Sequence, residues 1–195
     1  MAEPSIRRMD VLVEQLSEGL RPYAVGEFAI FGHSMGGLIA LELAQRLTAD
    51  GRLAPDHLIV SGGGAPGARE RWYSDQVPDS QVIEFIRSLG GTPSQIVDDA
   101  ELMAVILPVI RADLEICATY EYAPGHKLSF PISLLYGRDD EPISDPYAGW
   151  KDLTDDLHVR SFAGGHFFPF AESFREVLDY LLGALARPSN PAGPP

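Results

Sequence analysis

Phe28-Ala29-Ile30-Phe31-Gly32-His33-Ser34-Met35-Gly36-Gly37-Leu38-Ile39-Ala40-Leu41 decides the fold. Phe28 to Phe31 is a short continuous apolar run, the pattern of a strand buried on both faces. Leu38 to Leu47 reads as a helix that is apolar nearly all round. Between them, Gly32-His33-Ser34-Met35-Gly36 has to turn a strand into a helix. The serine in such a turn takes up a strained conformation, and a glycine on each side keeps neighbouring backbone clear of it. The turn lifts the Ser34 hydroxyl above the sheet and aims the N-terminus of the helix at it. The backbone N–H of Met35 then faces the place where an oxyanion forms.

The pattern alternates on either side of this stretch. Met9, Leu12, Val13, Leu16 and Leu20 recur at helical spacing, and Leu58 to Val60 is a second buried strand ending in Ser61-Gly62-Gly63-Gly64. Pro131 to Tyr136 and His158 to Phe162 predict two more strands, and Phe174, Val177, Leu178, Leu181, Leu182 and Leu185 a closing amphipathic helix. From Pro66 to about Pro124 the chain is helical without strands. Val82, Phe85, Ile86 and Leu89 form one stripe there, stopped by Gly90-Gly91 and Pro93. Leu102, Val105, Ile106, Val109, Ile110, Leu114 and Cys117 form a longer one, bent or restarted at Pro108. Strands alternating with helices imply an α/β fold with a parallel sheet, and the insertion at 66–124 implies a helical lid over one end of it. The domain then runs over 1–186, with 187–195, rich in proline, as a disordered tail.

A serine hydroxyl is a weak nucleophile, so it needs a base and the base needs an orienting carboxylate. Both occur downstream, each just after a predicted strand, in Gly137-Arg138-Asp139-Asp140 and Gly164-Gly165-His166. Loops at the carboxyl ends of parallel strands converge on one edge of the sheet. The chain order Ser, Asp, His is that of the strand–Ser–helix hydrolases. Asp140 is the expected carboxylate, because the fourth residue of a Gly-x-x-Asp turn falls back over the sheet, whereas Asp139 reads as a turn residue. His33 is read as structural, its side chain pointing away from the scissile bond. His57, His126 and His158 have no partner motif and read as surface or strand-end residues. A metal site from Asp139, Asp140, Glu141 and His166 is disfavoured because no second histidine lies at ligand spacing. No cofactor is expected. Gly62-Gly63-Gly64 reads as a flexible exit from a strand, since no Gly-Lys-Ser/Thr follows to make a phosphate cradle.

Composition narrows the classes. With 195 residues, 45% of them hydrophobic, the chain suits one packed domain. Its 15 Lys+Arg against 28 Asp+Glu leave a net charge of −13, which supplies no basic surplus for nucleic acid. The lone Cys117 excludes an intramolecular disulfide. Leu102 to Ile110 is too short to span a bilayer, and Met1-Ala2-Glu3-Pro4 lacks a signal-peptide core. A soluble, cytoplasmic protein is expected.

The sequence resembles the type II thioesterases, stand-alone α/β-hydrolases that accompany polyketide and nonribosomal peptide synthases. The resemblance covers Glu3 to about Leu185. It rests on Phe31 to Gly36, Leu89-Gly90-Gly91-Thr92-Pro93, Arg111-Ala112-Asp113 with Tyr120-Glu121-Tyr122, Gly137 to Asp140, and Gly164-Gly165-His166-Phe167-Phe168. It implies hydrolysis of acyl groups from the phosphopantetheine arm of acyl or peptidyl carrier proteins, with Ser34 as nucleophile, His166 as base and Asp140 orienting it. A thioester needs no strong acid to expel its thiolate, which suits this set of groups. Val82, Phe85, Ile86, Val105 and Val109 are candidate walls of an acyl passage, or simply pack the lid onto the sheet. Carrier proteins are acidic like this chain, so docking calls for a local basic patch; Arg69, Arg71 and Arg87 are the candidates, or else a solvated face. A general carboxylesterase of the same fold and a remnant that only binds carrier protein are the rival readings. The resemblance also implies roughly 50 residues of further strands ahead of the first helix. They would carry a His/Gly-rich loop giving a second oxyanion N–H, worth about 10²–10³ in rate. Their absence reads as a start codon placed too far downstream; a remnant gene, or an edge covered by another chain, are the alternatives.

Overall fold

The computed structural model describes residues 4–49, 53–64, 66, 73–123, 125, 127–140 and 149–186. Strands β1 (Ala29–His33), β2 (His57–Ser61), β3 (Ile132–Gly137) and β4 (Leu157–Phe162) form one sheet in the order β1-β2-β3-β4. Every pairing is parallel, with Phe31 opposite Ile59, Val60 opposite Leu134, and Leu134 opposite Val159. Each parallel connection returns the chain over a face of the sheet. Helix α2 (Met35–Ala49) covers one face and α6 (Phe174–Leu185) the other.

Alternation along β2 divides the core. Leu58 and Val60 pack with Ala40, Leu41 and Ala44 of α2, with Ile132 and Leu134, and with the fully buried Trp150. Ile59 points the other way, to Leu135, Phe162, Phe168 and Val177. All five residues of β2 are buried, which is why its central Leu58-Ile59-Val60 run is continuously apolar rather than alternating. Helix α1 (Met9–Leu20) lays Met9 and Val13 against Ile116 and Tyr120, with Met35 and Leu38 of α2 beside them.

Between β2 and β3 lie α3 (Asp79–Leu89), α4 (Ser94–Val97) and α5 (Ala100–Thr119), with a core of their own that includes Tyr73, Val82, Ile86, Val97, Met103 and Leu107. Asp99 caps α5 by accepting from the N–H groups of Glu101 and Leu102, worth about 1 kcal/mol. Gly90 at φ +74° ends α3 in the left-handed conformation that glycine adopts at least cost. The Arg111 guanidinium donates to the Asp79 carboxylate and to the Val77 carbonyl, clamping the start of α3 to α5.

Several expectations are corrected here. Helix α5 runs continuously through Pro108 and does not restart there. Its buried face is Met103, Leu107, Ala112, Leu114 and Ile116, while Leu102, Val105 and Val109 are exposed. A helix apolar nearly all round offers periodicity no single face to choose. Phe28 to Phe31 is not buried on both faces. Among the described residues β1 pairs only with β2, and Phe31 is 40% exposed. Phe31 opens onto a shallow groove with Phe170, Phe174 and Leu178, so much of the apolar stripe of α6 is exposed as well. No helix among the described residues is long and apolar enough to cross a membrane. The proline-rich 187–195 segment lies outside the described residues.

Candidate active site

The chain leaves β1 at His33 and enters α2 at Met35, so Ser34 alone makes the turn. Ser34 has φ +55°, the one non-glycine residue at positive φ among the described residues. A side chain in that region is strained by roughly 1–2 kcal/mol. The strain is held by its surroundings: the Ser34 N–H donates to the Ser61 carbonyl at 2.8 Å, and the Gly37 N–H donates to the Ser34 carbonyl at 2.9 Å. Met35 is the first residue of α2, so its N–H has no acceptor within the helix.

The glycines around the turn differ from expectation. A Cβ on Gly32 would lie 2.0 Å from the Gly36 carbonyl oxygen, which no side chain tolerates. A Cβ on Gly36 would meet nothing within 4 Å, so space does not demand a glycine there. The second obligatory glycine is Gly37, whose Cβ would fall 2.7 Å from Val60 Cγ1, because α2 packs directly onto β2. Its signal in the sequence is only the doubled glycine.

His166 brings the site together. Its Nε2 is 3.0 Å from Ser34 Oγ and its Nδ1 is 3.0 Å from Asp140 Oδ2. With Nδ1–H donating to the carboxylate, the Nε2 lone pair faces the serine hydroxyl, the tautomer that a general base requires. Asp139 does different work: its N–H donates to the Gly164 carbonyl, and its Oδ2 accepts from the Gly164 N–H at 3.3 Å. It ties the loop after β3 to the loop carrying His166. Gly137 permits that approach, since a Cβ there would sit 2.4 Å from the carbonyl oxygens of both Gly164 and Gly165.

Other residues fall into place around these. Val82 and Ile86 are buried in the core of the helical insertion with Phe85 packed beside them, whereas Val105 is 74% and Val109 53% exposed. Arg87 is paired at the surface with Asp98 at 3.0 Å and Glu84 at 3.5 Å. Arg69, Arg71 and His126 lie outside the described residues. His158 pairs with Asp156. His57 does start a strand but is not at the surface: it is 4% exposed, with Nε2 2.8 Å from Ser133 Oγ. Gly62 is not merely a loose exit. At φ +56°, a Cβ on it would lie 3.0 Å from His33 Cε1 and 3.4 Å from His166 Cε1, so it forms the floor under both rings. Nothing in the sequence points to the hydrogen bond from the Tyr120 hydroxyl to Glu42, which joins the end of α5 to α2.

His33 is half-buried, its Nδ1 3.2 Å from Ser61 Oγ and its ring 5.0 Å from that of His166. Burial, and then the neighbouring His166, lower its pKa from the ordinary 6.5 to about 4, against the opposing pull of Asp140. The unfolded chain therefore binds more protons than the folded one between those two values. Stability from a neutral His33 is complete above about pH 6.5 and is lost as the pH falls towards 4. Urea midpoints at pH 7 and pH 4.5 should drop less in His33→Gln than in the parent; equal drops would refute this assignment.

Comparison with known proteins adds context. The thioesterase domain family model matches residues 1–185. The gramicidin S biosynthesis protein GrsT of Aneurinibacillus migulanus is 34% identical over 92% of this chain and 71% of its own length. Thioesterase PikA5 of Streptomyces venezuelae is 32% identical over 93% of this chain and 66% of its own. The solved structure of BorB, a type II thioesterase from the borrelidin biosynthetic cluster, superposes with a TM-score of 0.80 at 34% identity, covering 94% of this chain and 75% of that one. This chain thus spans 66–75% of the length of these relatives.

Proposed function

The chain belongs to the thioesterase domain family, and from that premise we propose that it hydrolyses acyl thioesters held on the phosphopantetheine arm of acyl or peptidyl carrier proteins. Relatives named for gramicidin S and borrelidin biosynthesis support a place in polyketide or nonribosomal peptide assembly. The single observation that carries the chemistry is the continuous path from Asp140 through His166 to Ser34, two contacts of 3.0 Å each, at the carboxyl ends of three strands.

The steps follow from that path. His166 Nε2 takes the hydroxyl proton as Ser34 Oγ forms a bond to the thioester carbon. The charge that develops on the carbonyl oxygen is met by the N–H of Met35 at the head of α2. Asp140 stabilises the imidazolium. Collapse breaks the C–S bond, and the thiolate leaves, taking the proton from His166. Water, activated by the same imidazole, then attacks the acyl-serine, releasing the free acid and restoring the hydroxyl. The helical insertion between β2 and β3 serves as the lid over this site.

The test is competitive. A short acyl group is loaded on a holo carrier protein, and its release is followed by mass spectrometry beside hydrolysis of the p-nitrophenyl ester of the same acid. Faster turnover of the carrier-bound thioester supports the proposal. Preference for the free ester would make the chain a carboxylesterase. Folded protein that a fluorophosphonate probe leaves unlabelled at Ser34 would make it a binding module.

A further inference from the structure

The helical insertion reaches the active site at a definite contact. Gly91, in the turn between α3 and α4, lies so close to Phe167 that a Cβ on it would be 2.1, 2.3 and 2.5 Å from three atoms of the Phe167 ring. Phe167 is the residue after His166. Its ring meets the His166 ring edge-on, with centroids 5.1 Å apart at 88°, and the His33 ring at 5.4 Å. The glycine backbone, the phenyl ring and the imidazole therefore lie in series from the insertion to the base. Gly91 is not at a positive φ, so its backbone conformation does not call for a glycine, whereas the approach to Phe167 leaves no room for a side chain.

We propose that Phe167 is a positioning residue for His166 and that Gly91 is the seat through which the helical insertion holds it. The inference rests on the thioesterase reading of the site, in which His166 Nε2 must lie within hydrogen-bond reach of Ser34 Oγ. The physical link is packing. The imidazole is steered on one edge by Asp140 and backed by His33, while Phe167 closes a further side. If a methyl group is placed on Gly91, either the phenyl ring or the α3–α4 turn has to move. Displacement of a catalytic group by about 1 Å costs on the order of 10²-fold in rate.

Gly91→Ala tests this, read by two rates. One is labelling of Ser34 by a small fluorophosphonate, which requires the Ser34–His166 pair but no carrier protein or long acyl chain. The other is turnover of a carrier-bound thioester. The expected result is a fall of about 10- to 100-fold in labelling and in kcat, with KM changed little. Gly91→Ala/Phe167→Leu, which makes room for the methyl group, should label faster than Gly91→Ala alone. Phe167→Ala removes the ring without adding bulk and should also slow labelling, so the idea stays testable if Gly91→Ala fails to fold. Labelling at the parental rate in folded Gly91→Ala or Phe167→Ala would overturn the proposal. So would a double variant no faster than Gly91→Ala. Because labelling does not depend on the acyl carrier, a chain that labels but does not cleave carrier thioesters would overturn the proposed function and leave this inference to stand or fall on the labelling rates.

Discussion

Ser34→Ala should abolish thioester hydrolysis, with kcat reduced on the order of 10⁶-fold, the loss seen when a serine nucleophile is removed from a Ser–His–Asp set. No other group can replace it: His166 Nε2 faces Ser34 Oγ directly, and the base has no other hydroxyl placed against it among the described contacts. The fold should survive, because the change removes one half-buried oxygen and one hydrogen bond. Ser34→Gly should be equally inactive yet more stable than Ser34→Ala by about 1 kcal/mol, since glycine carries no penalty at φ +55°. Asp140→Asn should lower kcat by about 10⁴ through loss of the correct imidazole tautomer. Asp139→Asn should leave kcat within a few-fold, because Asp139 binds loop backbone and not His166. Steady-state release from a loaded carrier protein, with thermal melts of each variant, checks the set. Residual turnover above about 1% in Ser34→Ala would remove this serine from the chemistry.

Gly32→Ala should yield no active enzyme, and the cause is steric. The added methyl would lie 2.0 Å from the Gly36 carbonyl oxygen, 2.5 Å from its carbon and 2.8 Å from Ala40 Cβ. Two of these three atoms are backbone on the first turn of α2, which is pinned to β2 through Gly37 and Val60 and cannot slide away. A clash with backbone has no rotamer to relieve it, so the expected loss exceeds about 4 kcal/mol, a large part of the stability of a small domain. Gly36→Ala is the control, with open space around the new methyl and a better helix former in α2. Expression yield, urea midpoint and fluorophosphonate labelling distinguish the two. A Gly32→Ala protein as stable as Gly36→Ala would contradict this account of the turn.

The site was legible because its parts are local. The strand–serine–helix turn, the Gly-x-x-Asp turn and the glycine-led His166 loop each occupy a few contiguous residues after an apolar run. Parallel pairing then carries the strand ends to one rim without further information. Where the sequence is ambiguous, the ambiguity is equally local. Helix α5 is apolar on more than one face, so Val105 and Val109 were as eligible for burial as Met103 and Leu107, and only packing against α3 decided between them. Phe28 to Phe31 has the composition of a central strand, but in the sheet it pairs on one side only among the described residues.

The order of the chemistry-bearing residues along the chain, the turn that strains Ser34 and the parallel α/β class were all written in the sequence, because turn geometry and hydrophobic period belong to neighbouring residues. The requirement for Gly37 rather than Gly36, the place of Gly62 beneath two imidazoles, the contact of Gly91 with Phe167 and the bond from Tyr120 to Glu42 were decided by tertiary structure alone. Each depends on the distance between segments remote in the chain, and the space left at such a contact is set by how whole helices and strands pack.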